Sequence, residues 1–243
     1  MSDRSVLRLL YRSEDTYTGY SAGNPAALAR FRKLLRAERR SFGRRLLDLG
    51  CGGGALARAY VAPGRAYTGV DANPDMIREA KLAAQKFGYS ATFRLADLRR
   101  VRLTGKYDTV TLLGNALSHL TTRDLVRTVQ NLRGHLSPAA RLLVDYRDTV
   151  QQFFDKQGHG SFTQHRAGHR WVSSTRGVDL QRGVILVTIH RDGARAGVAH
   201  GQAIWSPFVL EPLMSTQGWK LVRRRPDRTW HGWRDIYQLA GTV

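Results

Sequence analysis

The run Leu46-Leu47-Asp48-Leu49-Gly50-Cys51-Gly52-Gly53-Gly54, with Tyr67-Thr68-Gly69-Val70-Asp71 behind it, constrains the fold of this chain more than any other stretch. The apolar residues up to Leu49 suit a strand buried on both faces. Glycines at 50, 52 and 54 let the backbone turn sharply into a helix and bring bare peptide against a ligand. Asp71 comes about 20 residues later, at the end of a second strand, where a carboxylate can take both hydroxyls of an adenosine ribose. This is the pattern of a nucleotide-binding strand, turn and helix. It does not choose the nucleotide, because Gly50, Gly52 and Ala55 also satisfy a G-x-G-x-x-A dinucleotide fingerprint, so a nicotinamide or flavin enzyme stays open.

The surroundings narrow the choice. About 44 residues precede the glycine strand, and within them the stretch from Pro25 to Arg39 is helical in pattern, with Leu28, Phe31, Leu34 and Leu35 on one face. Strands are expected near 45–49, 66–70, 91–95, 107–113 and 140–145, and helices near 54–61, 74–87 and 122–136. Such alternation implies a doubly wound, mostly parallel sheet that binds ligands at the carboxyl ends of its strands. Beyond Arg147 the pattern changes. Residues 161–166, 169–176, 184–191 and 198–205 are rich in β-branched and aromatic side chains and read as an antiparallel sheet. A helix near 207–217 and strands near 219–224 and 236–240 then complete the main sheet, with Trp230, His231 and Trp233 in the loop between the last two.

Taken together, Asp48 to Gly54, Asp71, Asp97-Leu98 after the third strand and Leu113-Gly114-Asn115 after the fourth resemble the motifs of the class I S-adenosylmethionine-dependent methyltransferases, over roughly residues 40 to 243. The resemblance implies a seven-stranded, Rossmann-like α/β fold with an inserted antiparallel sheet over the active site, and S-adenosylmethionine as cofactor. It implies cofactor contacts from Asp48, Gly50, Cys51, Gly52, Asp71, Ala72, Met76, Asp97, Leu98, Leu113 and Gly114. Tyr11 and Tyr20 of the N-terminal segment are added as groups able to lie over the sulfonium. Leu113-Gly114-Asn115 with His119-Leu120, then Asp145-Tyr146-Arg147-Asp148 and a β-rich insertion, are similar to the glycine N-methyltransferase-like group. In that group an arginine after the fifth strand anchors a substrate carboxylate, and the matching residue is Arg147. The group's N-terminal arginine is not matched, since Pro25 and Ala26 stand near its place and only Arg12 or Arg30 offer a substitute.

Four regions are expected: 1–40 as lid and covering helix, 41–149 as cofactor-binding core, 150–206 as the antiparallel roof and 207–243 as completion of the core sheet. A length of 243 residues suits one catalytic domain with an insertion. The single cysteine, Cys51, excludes a disulfide framework and is expected to pack in the turn. No apolar run of membrane-spanning length and no secretory leader are evident, which points to a cytoplasmic protein, with a homo-oligomer left open. The net charge of +20 favours polyanions, yet the basic residues are 33 arginines and six lysines spread along nearly the whole chain, a bias that composition alone can produce.

Three residues are candidates for the chemistry. Asn115 can accept from an amine or from the cofactor's amino group. His119 is the candidate base should the nucleophile be oxygen. Arg147 is a carboxylate anchor, or else a salt-bridge partner of Asp145 or Asp148. His159, His165 and His169 have no acidic ligand at metal spacing, so no metal is expected. The favoured function is methyl transfer to a small-molecule amine, including one bearing a carboxylate, and the alternative is methylation of RNA or protein recruited by the basic surface. Gly114-Asn115-Ala116-Leu117 stands where exocyclic-amine nucleic-acid methylation needs an Asn/Asp-Pro-Pro-aromatic segment.

Overall fold

A computed structural model describes residues 21–155, 161–166, 169–191, 197–227 and 232–240. In chain order the elements are α1 (Pro25–Ala37), β1 (Arg45–Leu49), α2 (Ala55–Tyr60), β2 (Ala66–Asp71), α3 (Pro74–Phe87), β3 (Thr92–Leu95), β4 (Tyr107–Leu112), α4 (Thr122–Leu132) and β5 (Leu136–Arg147). There follow α5 (Thr149–Asp155), β6 (Ser161–Arg166), β7 (His169–Asp179), β8 (Val184–Arg191), β9 (Val198–Ala203), α6 (Pro207–Thr216), β10 (Trp219–Asp227) and β11 (Gly232–Leu239).

The helices begin where side chains satisfy their first free N–H groups. Asn24 accepts from Ala26 and Ala27 ahead of α1, and Asn73 accepts from Asp75 ahead of α3, each followed by a proline whose missing N–H costs nothing there. Thr121 and Asp124 form a reciprocal capping box on α4, and Gly88, in the left-handed region, ends α3.

Seven strands form the main sheet in the order β10-β11-β5-β4-β1-β2-β3. β1 lies between β2 and β4 and is parallel to both, and β11 alone runs against its neighbours, β5 and β10. The strand order therefore reverses beside β1, and the crevice of such a sheet opens at the carboxyl ends of the strands at that point. Alternate residues feed two cores. Leu47, Leu49, Val110, Leu112, Leu142 and Val144 lie on one face with α4 and α6, while Leu46, Leu143 and Ile236 meet α1, α2 and α3 on the other.

The second sheet, ordered β6-β7-β8-β9, is antiparallel throughout and occupies the connection from β5 to α6. Its two stems are tied together: the Thr149 N–H donates to the Trp205 carbonyl at 2.9 Å, and the Trp205 N–H donates to Thr149 Oγ1 at 2.7 Å. The Trp205 indole donates to the carbonyls of Leu117 and Leu120, both at 3.0 Å, joining this stem to the loop after β4. No helix among the described residues is long and apolar enough to cross a membrane.

Three expectations need correction. The chain does not pass straight from β5 into the antiparallel sheet; α5 intervenes, started by Asp148, whose carboxylate accepts from the Gln151 N–H at 3.1 Å. The helix expected to run to 136 stops at Leu132 and continues as a 3-10 turn. The last strand begins at Gly232 rather than 236, so Trp233 sits on a strand and not in a loop; Trp230 and His231 lie outside the described residues.

Candidate active site

The glycine turn leaves β1 at Leu49. Gly50 and Cys51 donate their N–H groups to the Val70 carbonyl, at 2.7 and 3.1 Å, and Gly50, Gly52 and Gly54 all have positive φ, a conformation that side chains strain. Gly52 N–H donates to Asp71 Oδ2 and Asn73 N–H to Asp71 Oδ1, both at 2.9 Å. Burial raises the pKa of Asp71, and the backbone N–H groups of Asn73, Gly52 and Ala72 oppose that rise. The carboxylate keeps lone-pair capacity for a ligand. Beside it, the buried Asn73 side chain spends its oxygen on the α3 cap and leaves Nδ2 without a partner. Ala72 is exposed on the rim and Met76 is buried one turn into α3. A ribose would find acceptors on Asp71, a donor on Asn73 and bare backbone at Gly52.

Asp48 is turned away from this rim. It accepts from the hydroxyls of Tyr67, at 2.5 Å, and Thr111, at 2.7 Å, beneath the turn. Burial lifts its pKa to about 6 against the pull of those two hydrogen bonds. Because the folded pKa lies above the ordinary carboxylate value, the charged form costs stability that the protonated form does not. The wild type is therefore expected to lose stability relative to Asp48→Asn as pH rises from about 4 to about 6, by up to about 3 kcal/mol, in paired urea melts across that range. A constant difference between the two proteins would reject a raised pKa. Cys51 is buried in the same turn, and burial pushes its thiol well above the ordinary range, reinforced by the charges of Asp71 and Asp48.

After β3, Asp97 is committed to Arg99. It accepts from the Arg99 backbone N–H at 3.0 Å and from its guanidinium at 2.9 and 2.6 Å. Leu98 is half-buried against the core. Tyr11 and Tyr20 lie outside the described residues. The chain just after them is anchored at the turn, with the Ala22 N–H donating to the Gly53 carbonyl at 3.1 Å.

On the other side of β1, Leu113 is buried and Gly114 and Asn115 both have positive φ. Asp145 holds this strained corner: Oδ1 accepts from the Asn115 N–H at 2.7 Å, and the Gly114 N–H also donates to the carboxylate. Burial raises the pKa of Asp145 against those donors. Asn115 Oδ1 accepts from the Arg147 N–H at 3.3 Å, so two of the three candidate catalytic residues meet here. Asp145 thus serves the corner, and Asp148 accepts from the Trp233 indole at 3.1 Å and from Gln151. His119, one turn on, is brought beside His200 of β9. Burial lowers both imidazoles to about 4, and for His119 the neighbouring His200 adds to the effect.

The sequence reading missed Asn73, Asp145 and His200. Asn73-Pro74 carries a helix-start signature that could have found the first, and Asp145 stands two residues before Arg147. Nothing in the sequence pairs His200 with His119. Among the described residues there is no cluster of three or more metal-ligating side chains.

Residues 46–139 match the family model described as a methyltransferase domain. The strand order and the glycine turn accord with that match. The fold is that of the class I methyltransferases. The methyltransferase core aligns with the ubiquinone biosynthesis O-methyltransferase of Escherichia coli, 34% identical over 74 residues, which are 30% of this chain and 31% of that protein. The chain thus spans about a third of the length of that curated relative. Over the whole methyltransferase fold it superposes on an S-adenosylmethionine-dependent methyltransferase from Clostridium acetobutylicum, with TM-score 0.69 and 14% identity over 98% of this chain and 97% of the other. It also superposes on the sugar N-methyltransferase KedS8 from Streptoalloteichus, with TM-score 0.63 and 20% identity over 97% and 93%.

Proposed function

We propose that the chain binds S-adenosylmethionine at the carboxyl edge of β1, β2 and β4 and catalyses transfer of its methyl group to the amine of a small molecule. The cofactor supplies an electrophilic methyl on a sulfonium, so the work left to the protein is to hold a neutral nucleophile in line and exclude water, worth about 7–11 kcal/mol when geometry is good. Asp71, Asn73 and the glycine turn would hold the nucleoside. Gly114 and Asn115, fixed by Asp145, would shape the methionine end. We read 1–40 as lid and covering helix, 41–149 as the cofactor core, 150–206 as the roof of the acceptor pocket and 207–243 as the closing part of the sheet.

What supports the amine reading is the packing of His119 against β9 and His200, between the β4 corner and the inserted sheet, where burial lowers both imidazoles. Surroundings that hold His119 and His200 neutral also disfavour an ammonium, so a bound amine keeps its lone pair. Imidazoles poised at about 4 are weak bases at neutral pH, and a hydroxyl nucleophile needs a stronger one. A hydroxyl acceptor is the second reading, favoured by the name of the Escherichia coli relative. Macromolecular substrates fit less well. An arginine-lined cleft of about 410 Å³ includes Arg36, Arg39, Arg40, Arg141 and Arg223, but it lies away from the crevice. Arg141 and Arg147 are six residues apart along β5, roughly 20 Å.

Methyl-labelled S-adenosylmethionine incubated with the protein and a fractionated cell extract tests the proposal. Label in an amine of the small-metabolite fraction is expected; label confined to RNA or protein would overturn it. Arg147→Ala is expected to raise the Michaelis constant for a carboxylate-bearing acceptor at least about tenfold while affinity for S-adenosylhomocysteine stays within about twofold. An unchanged Michaelis constant would remove Arg147 as the anchor.

A further inference from the structure

β9 packs against the 3-10 turn Ala116–His119, and the Trp205 indole, bonded to the Leu117 and Leu120 carbonyls, fixes the two in register. This brings His200 from the inserted sheet to His119 at the end of β4, close enough for His200 to weaken the protonation of His119. The two nitrogens of the His200 ring differ. Nε2 lies 3.2 Å from the Gln202 side-chain nitrogen, which donates to it, so the neutral ring carries its proton on Nδ1. Nδ1 is buried and has no hydrogen-bond partner. A buried N–H donor left open destabilises the free protein, and a ligand oxygen would complete it. The neighbouring functional elements are the Asn115 corner and His119, at the end where the methyl acceptor is expected.

The geometry points to His200 as a recognition residue of the acceptor pocket, donating through Nδ1–H to an oxygen of the methyl acceptor. The assignment rests on the proposed methyltransferase reading and narrows it. The acceptor is an amine that also carries an uncharged or anionic oxygen, such as a hydroxyl, carbonyl or carboxylate, within reach of the roof. An alkylamine without that oxygen leaves Nδ1–H buried and unmatched, so the roof discriminates against it.

The test compares His200→Leu, which replaces the ring by an apolar group of similar size, with His200→Asn, whose carboxamide places a polar atom near the position of Nδ1. The acceptor source is the small-metabolite fraction of a cell extract at limiting dilution, with methyl-labelled S-adenosylmethionine in excess. His200→Leu is expected to cut labelling at least about tenfold while S-adenosylhomocysteine affinity stays within about twofold. Its melting temperature should equal or exceed that of the wild type, because an unmatched buried nitrogen has been removed. His200→Asn should keep labelling within about threefold. A leucine variant that labels as the wild type does, or that melts several degrees lower and loses S-adenosylhomocysteine as well, would overturn the role. So would an asparagine variant no better than leucine. A wild-type protein that labels no fraction would instead overturn the methyltransferase proposal and this one with it.

Discussion

Asp71→Ala is expected to weaken S-adenosylhomocysteine binding at least about 100-fold in isothermal titration calorimetry, since hydrogen bonds to a charged group contribute about 1.5–3 kcal/mol each and two ribose hydroxyls are at stake. The loss has a second source. The carboxylate also receives the Gly52 and Asn73 N–H groups, so the alanine variant releases the glycine turn from the start of α3. Asp71→Asn keeps one carbonyl oxygen and should fall between the two proteins. Near-wild-type affinity in the alanine variant would remove Asp71 from the cofactor site.

The largest loss of stability is expected at Asp235. This residue is fully buried and accepts from the hydroxyls of Tyr146, at 3.0 Å, and Tyr237, at 2.9 Å. It also pairs with Arg224 through two contacts of 2.8 Å. Removing Asp235 leaves both hydroxyls and two guanidinium N–H groups without their acceptor, with the half-exposed Glu211 still on Arg224, at 3.0 Å. Asp235→Ala should therefore cost about 3–5 kcal/mol in urea unfolding, and lower the melting temperature by roughly 10 °C. A cost below about 1 kcal/mol would mean that the three donors find other partners. The effect reaches the crevice, because β11 pairs along β5 from Gln238 opposite Arg141 to Gly232 opposite Arg147.

Asp235 also explains why the last strand was hard to read. The stretch Gly-Trp-Arg-Asp looks like a turn because its polar residues interrupt the apolar pattern, yet Asp235 and Arg234 are inside the fold, matched by Arg224 and Asp227 on the neighbouring strand. Burial with a partner cannot be seen from one strand alone. By contrast β1, β2 and α3 were legible, because Leu46 to Leu49, the glycines and Asn73-Pro74 carry signals that need no distant partner. Helix α5 had a signal, Asp148 with Gln151 three residues on, but too little apolar periodicity in about two turns to stand out. In the site, the acidic end of β2 was readable from spacing. The direction of Asp48 was not, since its carboxylate answers to Tyr67 and Thr111 on adjacent strands. His200 depends on the register of β9 against a turn some 80 residues earlier, which no local pattern encodes.

The paired hydrogen bonds between Thr149 and Trp205 make the entry and exit of the inserted sheet a single junction. The chain enters and leaves the inserted sheet there, as a bough leaves a trunk, and β9 leans back on the turn after β4. Selection can therefore rewrite the outer strands, β6 to β8, without re-laying the glycine turn and the parallel strands beneath it. A laboratory can do the same by exchanging residues 150–204 as a cassette between relatives that keep a hydroxyl and an indole at the junction.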